Sequence, residues 1–363
     1  MKIGVPKEVK NNEFRVGLTP ESVKTLCQNN HEVFIERNAG NGIGYTNSNY
    51  INSGAIILNS SKEIFESSEL IVKVKEPVPD EFQYLSKKHT LFTFLHLAGD
   101  LKQGLDLIST GVTGIAYETI TSENGSLPLL SPMSAIAGQL SIIVGSYHLL
   151  KHNNGKGILI GYFEDIEPRI VTVLGAGVAG TEAISKAIEN NSFLKIIDIS
   201  KNKLAKLKNK FGTNNIEYIK STKTAIANAL TVSDLVIGAV YVLGKQAPQI
   251  VSKDMISNMK PGSVIVDISI DQGGCFETSY PTDHNNPTFL VDGVVHYCVP
   301  NMPAAVPLTA TNVLNKVTLP YILDLANKGI KRALDEDKHL FNGLNIRNGE
   351  IIHPSVRESF GSF

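Results

Sequence analysis

The stretch Ile170-Val171-Thr172-Val173-Leu174-Gly175-Ala176-Gly177-Val178-Ala179-Gly180 decides the fold. Five apolar or β-branched residues predict a buried strand, and the residues from Thr181 to Glu189 read as a helix. The glycines between them stand in GxGxxG spacing. In a strand–turn–helix unit the first permits the tight turn, the second lets backbone N–H groups approach a pyrophosphate, and the third lets helix and strand pack closely. A bare GxGxxG is weak evidence, because a purely structural glycine turn has the same spelling. The next apolar run, Lys195-Ile196-Ile197, ends at Asp198. That is about 20 residues on, where a carboxylate accepts the adenosine ribose hydroxyls. The same carboxylate would repel the extra phosphate of NADP. Ile199-Ser200 offers no arginine to hold one, although Lys201 and Lys203 are near, so NAD is the favoured dinucleotide.

Working outward, strands are predicted at Leu194 to Ile197, Ile216 to Ile219, Leu235 to Ala239 and Ser263 to Ile268, with helices at Asn202 to Lys210 and Lys253 to Asn258. Towards the amino terminus a second α/β series opens with Lys2 to Val5. Thr19-Pro20-Glu21 then spells a helix start, with Thr19 as cap, Pro20 at the first helical position and Glu21 at the positive dipole end. That helix should run to Gln28, before a strand at Glu32 to Glu36. Further short runs at Leu70 to Val74, Leu91 to Leu95 and Val112 to Ala116 predict a parallel sheet. From Pro303 to Lys328 a mostly helical segment is expected, interrupted by Pro307 and Pro320, and the remaining tail is polar.

A length of 363 residues suggests two domains at about 150 residues each. With 34 basic and 35 acidic side chains the formal charge is −1, which offers no field for nucleic acid or an anionic membrane. Cys27, Cys275 and Cys298 are too few and too scattered for a disulfide framework or a four-cysteine zinc site, and no metal site is expected. His296-Tyr297-Cys298 reads as part of an alternating strand. Residues 124–150 carry no Asp, Glu, Lys or Arg, yet Ser131, Pro132, Ser134, Gln139, Ser141, Ser146 and His148 interrupt them. A buried helix from about Ser134 is expected there, not a membrane span. The start of the chain lacks a signal-peptide core, so the cytoplasm is the expected compartment.

Ligands of open parallel sheets bind outside the carboxyl ends of the strands. Lys75, His96 and Asp271 each follow a predicted strand: a cation, an imidazole and a carboxylate, the set needed to hold an anion and move a proton during hydride transfer. Position alone leaves each open to a bland reading as a solvated lysine, a core histidine and a turn aspartate.

The chain also resembles the alanine dehydrogenase and pyridine-nucleotide transhydrogenase family over nearly its whole length. The resemblance is carried by GVPKEVKNNEFRVGLTPESV, IVKVKEP, FLHLAGD, AYET, PLLSPMS, VLGAGVAGTEA with Asp198, DLVIGAV, DISIDQGGCFET, GVVHYCVPNMPAAVP and TLPY. It implies two doubly wound α/β domains: a Rossmann NAD-binding domain, residues 131–304, inserted into a flavodoxin- or Rossmann-like substrate domain, residues 1–130 and 305–363. It implies reversible, NAD-dependent oxidative deamination of L-alanine to pyruvate and ammonia by a homohexamer.

Residue by residue, the resemblance gives Arg15 and Lys75 the substrate carboxylate and carbonyl, and His96 and Asp271 the acid/base chemistry. It gives Ser134, Gly175, Gly177, Val178, Ala179, Gly180, Asp198, Lys203, Val240, Asp271, Asn301 and Met302 the cofactor. Family members usually carry arginine at the positions of Gln139 and Leu308, and a glycine- and proline-rich segment at residues 162–167. These departures keep a second reading open, in which the same chemistry acts on another amino acid or condenses a keto acid with an amine. A non-catalytic NAD-binding protein is a further alternative.

Overall fold

The computed structural model describes residues 1–361 apart from Ala98, Asp100, Tyr162, Glu167 and residues 243–245. Two members of the 162–167 segment and two of FLHLAGD thus lie outside the described residues. In chain order the strands are β1 (Lys2–Val5), β2 (Glu32–Glu36), β3 (Ile56–Leu58), β4 (Leu70–Val72), β5 (Thr90–Thr93), β6 (Thr113–Ala116), β7 (Ile170–Leu174), β8 (Phe193–Asp198), β9 (Ile216–Lys220), β10 (Leu235–Gly238), β11 (Val264–Asp267), β12 (Thr288–Val291), β13 (Val294–Tyr297), β14 (Leu344–Arg347) and β15 (Glu350–Ile351). They form two sheets in two units. One unit comprises Met1–Met133 and Ala304–Phe363, the other Ser134–Pro303.

The first unit's sheet has the order β15-β14-β6-β5-β4-β1-β2-β3. Strands β1 to β6 are mutually parallel and rich in buried Val, Ile, Leu and Phe, as strands covered on both faces must be. The chain winds from β1 towards β3, then restarts at β4 on the other side of β1. The direction therefore switches between β1 and β4, where such sheets bind ligands. Thr19 caps the Pro20–Gln28 helix by accepting the Ser22 N–H at 3.2 Å.

The second sheet has the order β12-β13-β11-β10-β7-β8-β9, with its switch between β7 and β10. Val171, Val173, Ile196, Ile237 and Val264 build the core on one side of it, and Leu174, Val236, Ile265 and Phe276 contribute to the other. Each fully buried aliphatic side chain contributes about 1.5–3 kcal/mol.

Two expectations change, and the tail, read only as polar, gains elements. The sheets are not wholly parallel: β14, β15 and β12 run antiparallel at the edges, where a hairpin or a returning chain can add a strand without a helical crossover. The Pro307–Lys328 helix is not interrupted. Pro307 occupies the first turn, where an N–H has no partner to lose, and Pro320 is carried inside the helix, whose face with Ala310, Leu314, Ile322 and Leu325 is buried. The polar tail is structured, because Leu344 and Ile346 of β14 are buried. The uncharged helix spans Ser131–His148, and among the described residues no helix is long and apolar enough to cross a membrane.

Candidate active site

In the first unit, the loop after β1 and the ends of β4, β5 and β6 supply a charged cluster along one edge of the sheet. Arg15 is buried and its guanidinium plane is fixed by Glu13: Nε–H donates to Oε1 and an Nη2–H to Oε2, both at 2.6 Å. This is the bidentate fork that gives arginine–carboxylate pairs their directionality. Just beyond Arg15, the Val16 N–H donates to Thr311 Oγ1 (3.3 Å) and the Thr19 N–H to Asn315 Oδ1 (2.8 Å). The long proline-bearing helix thus anchors the arginine loop.

Lys75 follows β4 and is held from below. Glu8 Oε1 accepts the Val74 N–H at 2.6 Å and the Lys75 N–H at 3.2 Å. Its Oε2 lies 3.3 Å from Lys73 Nζ, which also donates to Glu81 Oε1 at 3.1 Å, and Glu81 Oε2 accepts the Val78 N–H at 2.8 Å. Burial pushes the Glu8 carboxyl up despite Lys73, whereas Lys73 is held above its ordinary range by Glu8 and Glu81 against the desolvation that opposes its charge. The Glu8–Lys73–Glu81 triad therefore pins the segment that presents Lys75.

Lys75 Nζ itself lies 3.6 Å from Glu76 Oε2, and Glu76 also pairs with Lys10. Burial would push the Glu76 carboxyl up, but Lys75, His96 and Lys10 together hold it down to about 2. His96 is thus within electrostatic reach of the same carboxylate.

His96 follows β5 with φ +46°, in the left-handed region, a strained conformation that concentrates at functional positions. Glu118, after β6, compensates by accepting the His96 N–H at 2.6 Å and the Leu95 N–H at 3.2 Å. The imidazole stacks on Phe94 with ring centroids 5.6 Å apart, and its side chain is 41% exposed, open to a substrate.

In the second unit, a Cβ at Gly180 would lie 1.9 Å from the Gly175 carbonyl oxygen, so helix and strand close only on glycine. Gly177 is different. It is the N-cap of the Val178–Glu189 helix, supplies no side-chain cap, and a Cβ there would meet no protein atom. Packing gives no reason for glycine at 177, whereas a phosphate seated on the helix N-terminus does. Asp198, at the end of β8, accepts the Ala176 N–H at 2.7 Å through Oδ2 and the Ser200 N–H at 2.6 Å through Oδ1. It therefore clamps the glycine turn as well as standing at the ribose position. The residues present fit a dinucleotide.

Val240 follows β10, and its N–H donates to Ser269 Oγ at 3.0 Å. Asp271 lies in the short Ile268–Gln272 helical turn after β11, and its Oδ1 accepts the Asn301 N–H at 3.3 Å. Asn301 has φ +59°. Lys203 is exposed in the first turn of the Lys201–Phe211 helix, Ser134 lies in the Ser131–His148 helix, and Val178 and Ala179 open the helix after the glycine turn. Met302 is buried in the apolar core, so a ligand would meet its backbone. Gln139 donates to Glu182 Oε2 at 2.9 Å. Glu8, Glu13, Glu118 and Asp267 have no place among the sequence-based candidates. Glu13 stands two residues from Arg15 and Glu118 follows a strand, signals that were available.

Residues 4–137 match the N-terminal domain and residues 141–354 the C-terminal domain of the family described as alanine dehydrogenase/PNT. The chain belongs to the alanine dehydrogenase/PNT family. It is 45% identical to an alanine dehydrogenase of Halomonas elongata over 99% of this chain and 97% of that protein. It is also 45% identical to an alanine dehydrogenase of Bacillus subtilis, with 99% and 95% covered. A solved L-alanine dehydrogenase superposes with a TM-score of 0.94 at 48% identity, covering 99% of each chain. The family's fold extends to a transhydrogenase of Sinorhizobium meliloti, with a TM-score of 0.83 at 22% identity, covering 97% of this chain and all of that one.

Proposed function

We propose that this family member is an NAD-dependent L-alanine dehydrogenase, catalysing reversible oxidative deamination of L-alanine to pyruvate and ammonia. The observation that carries the reading is the convergence of Arg15, Lys75 and His96 on the carboxyl edge of one sheet, each braced by its own carboxylate. Family membership and the alanine dehydrogenases it matches support the substrate.

Arg15 and Lys75 pair with the carboxylate and carbonyl of a small 2-oxo acid or its amino acid, fixing the Cα geometry before reaction. NAD, when bound on the glycine turn and Asp198, supplies the hydride acceptor at C4 of its nicotinamide. Water then adds to the substrate imine, and ammonia leaves the resulting carbinolamine. His96 and Asp271 are the groups that take and return the protons on nitrogen and oxygen. Asp198 favours NAD over NADP by repelling a 2′-phosphate. The same reading makes the protein a cytoplasmic homohexamer with small-molecule partners and neither nucleic-acid nor membrane contact; light scattering on the purified protein tests the oligomeric state.

One observation favours a second substrate. Gln139 and Leu308, the positions at which the resemblance implies arginine, are here an amide that donates to Glu182 and an exposed aliphatic side chain. The test is NADH absorbance decay with pyruvate and ammonium, beside other keto acids, amines and NADPH. Rapid decay with pyruvate and ammonium supports the proposal. Turnover only with another keto acid or amine moves the substrate, and NADH binding without any turnover overturns the enzyme reading.

A further inference from the structure

Asp267 closes β11 with its side chain buried, and the next twelve residues fold around it. Its Oδ1 accepts the Ser269 N–H at 3.0 Å, which caps the Ile268–Gln272 turn that carries Asp271. Its Oδ2 accepts the Ser279 hydroxyl at 2.7 Å and the Cys275 N–H at 3.0 Å. Ser269 extends the reach of the carboxylate to the neighbouring strand. Its Oγ accepts the Val240 N–H at 3.0 Å and lies 3.5 Å from the Gly238 carbonyl at the end of β10. The cradle is tight: at Gly274, φ +83°, a Cβ would lie 2.7 Å from Asp267 Oδ2.

The titratable groups facing Asp267 are two thiols. Cys275 Sγ, on the loop after the helical turn, lies 3.7 Å from Oδ1, and Cys298, just after β13, lies 3.6 Å from Ser279 Oγ. Burial pushes both thiols up, Cys298 to about 12, so neither charges near neutral pH. From β10 the nearest neighbour is Gly238, which has no charge. Among the described residues no cation pairs with this carboxylate. A buried anion without a counter-charge is costly, and here the Ser279 hydroxyl and the backbone N–H groups of Ser269, Cys275 and Phe276 compensate it. A carboxamide could not replace it without turning its NH2 towards one set of those donors.

We infer that Asp267 is the positioning residue of the candidate dinucleotide site in the second unit, a buried acceptor that holds the Asp271 turn and the Val240 amide in one arrangement. Its bearing on catalysis rests on the acid/base role proposed for Asp271; its bearing on cofactor affinity does not. Burial pushes the Asp267 carboxyl up to about 6 against the pull of Ser279, Cys275 and Ser269, so mild acid converts the acceptor into a donor and loosens both loops.

The test is NADH fluorescence titration of the full-length protein from about pH 5 to about pH 8, with steady-state kinetics at the upper end. Wild type should lose NADH affinity below about pH 6. Asp267→Asn should bind NADH about 10-fold more weakly at neutral pH and show no such step, while KM for the keto acid stays within about 2-fold. Asp271→Asn should keep the pH step, because Asp267 is intact, while losing about 100-fold or more in kcat. Should Asp267→Asn not fold, Ser269→Ala, which keeps the carboxylate and removes the hydroxyl's bonds to Val240 and Gly238, should weaken NADH by about 3-fold or more. NADH affinity and pH step matching wild type in Asp267→Asn, or unchanged affinity in Ser269→Ala, overturn the positioning role. Full turnover in Asp271→Asn overturns instead the acid/base reading of Asp271.

Discussion

Replacing Asp198 by asparagine keeps the volume and removes the charge, and the structure says what each oxygen loses. Oδ1 takes the Ser200 N–H at 2.6 Å and Oδ2 the Ala176 N–H at 2.7 Å. A carboxamide has one acceptor oxygen, so its NH2 must face the second N–H. Leaving that donor unpaired in a buried place costs about 1–3 kcal/mol of stability. The ribose hydroxyls lose a charged acceptor, about 1.5–3 kcal/mol, which corresponds to about 10- to 100-fold in Kd. Loss of the charge also removes the repulsion that disfavours a 2′-phosphate, so the preference for NADH over NADPH should narrow. NADH and NADPH fluorescence titrations measure both, and a thermal melt reports the clamp separately. An NADH Kd within about twofold of wild type with an unchanged coenzyme preference would falsify the assignment of Asp198.

The remaining predictions concern charge, packing and turnover. Despite burial, Lys75, His96 and Lys10 hold Glu76 at about 2 instead of 4.5, so its contribution is present above about pH 4.5 and is lost as pH falls towards 2. At about 1.4 kcal/mol per pH unit that amounts to about 3 kcal/mol. Urea unfolding of Glu76→Gln should therefore show a smaller loss between about pH 6 and pH 3 than wild type, and equal losses would refute the coupling. Gly180→Ala places a methyl against the Gly175 carbonyl and should cost about 2–3 kcal/mol, read as a melting temperature lowered by about 5–10 °C; an unshifted melt contradicts the close packing. His96→Ala should abolish turnover with NADH binding intact, and an active variant removes His96 from the chemistry.

What could be read from the sequence follows the physics of each element. Strands covered on both faces appear as continuous apolar runs, so β7, β8 and β10 stand out and lie within a residue of where the pattern puts them. The Thr19-Pro20-Glu21 start is equally plain, because cap, proline and dipole preference agree. The strands at the sheet margins carry no such signal: Ile56–Leu58 and Glu350–Ile351 are only three and two residues long, and Leu344–Arg347 is made a strand by β6, a partner distant in sequence. Pro320 misleads for the opposite reason, since tertiary burial outweighs a local penalty. At the site, strand-end logic reaches Lys75, His96 and Asp271, while Arg15 sits in a loop without periodicity and came only from resemblance. The carboxylates that hold these groups are harder to see. Glu8 reaches the backbone of Lys75 across 67 positions, and a partnership of that kind leaves no local mark.

The antiparallel addition of β14 to β6 has a consequence for the newborn chain. The second unit is contiguous and has all its strands once Pro303 has left the ribosome. The first unit, begun earlier, must wait for Leu344–Arg347 to cover β6. At a synthesis rate of about 5–20 residues per second, the roughly 44 residues from Pro303 to the end of β14 take about 2–9 s. During that interval Gly114 and Ile115, which β14 will pair, sit on an open sheet edge of the kind that recruits stray strands. The half of the protein that starts first is the half that finishes last, and nascent chains cut short before residue 344 should be the ones that chaperones retain.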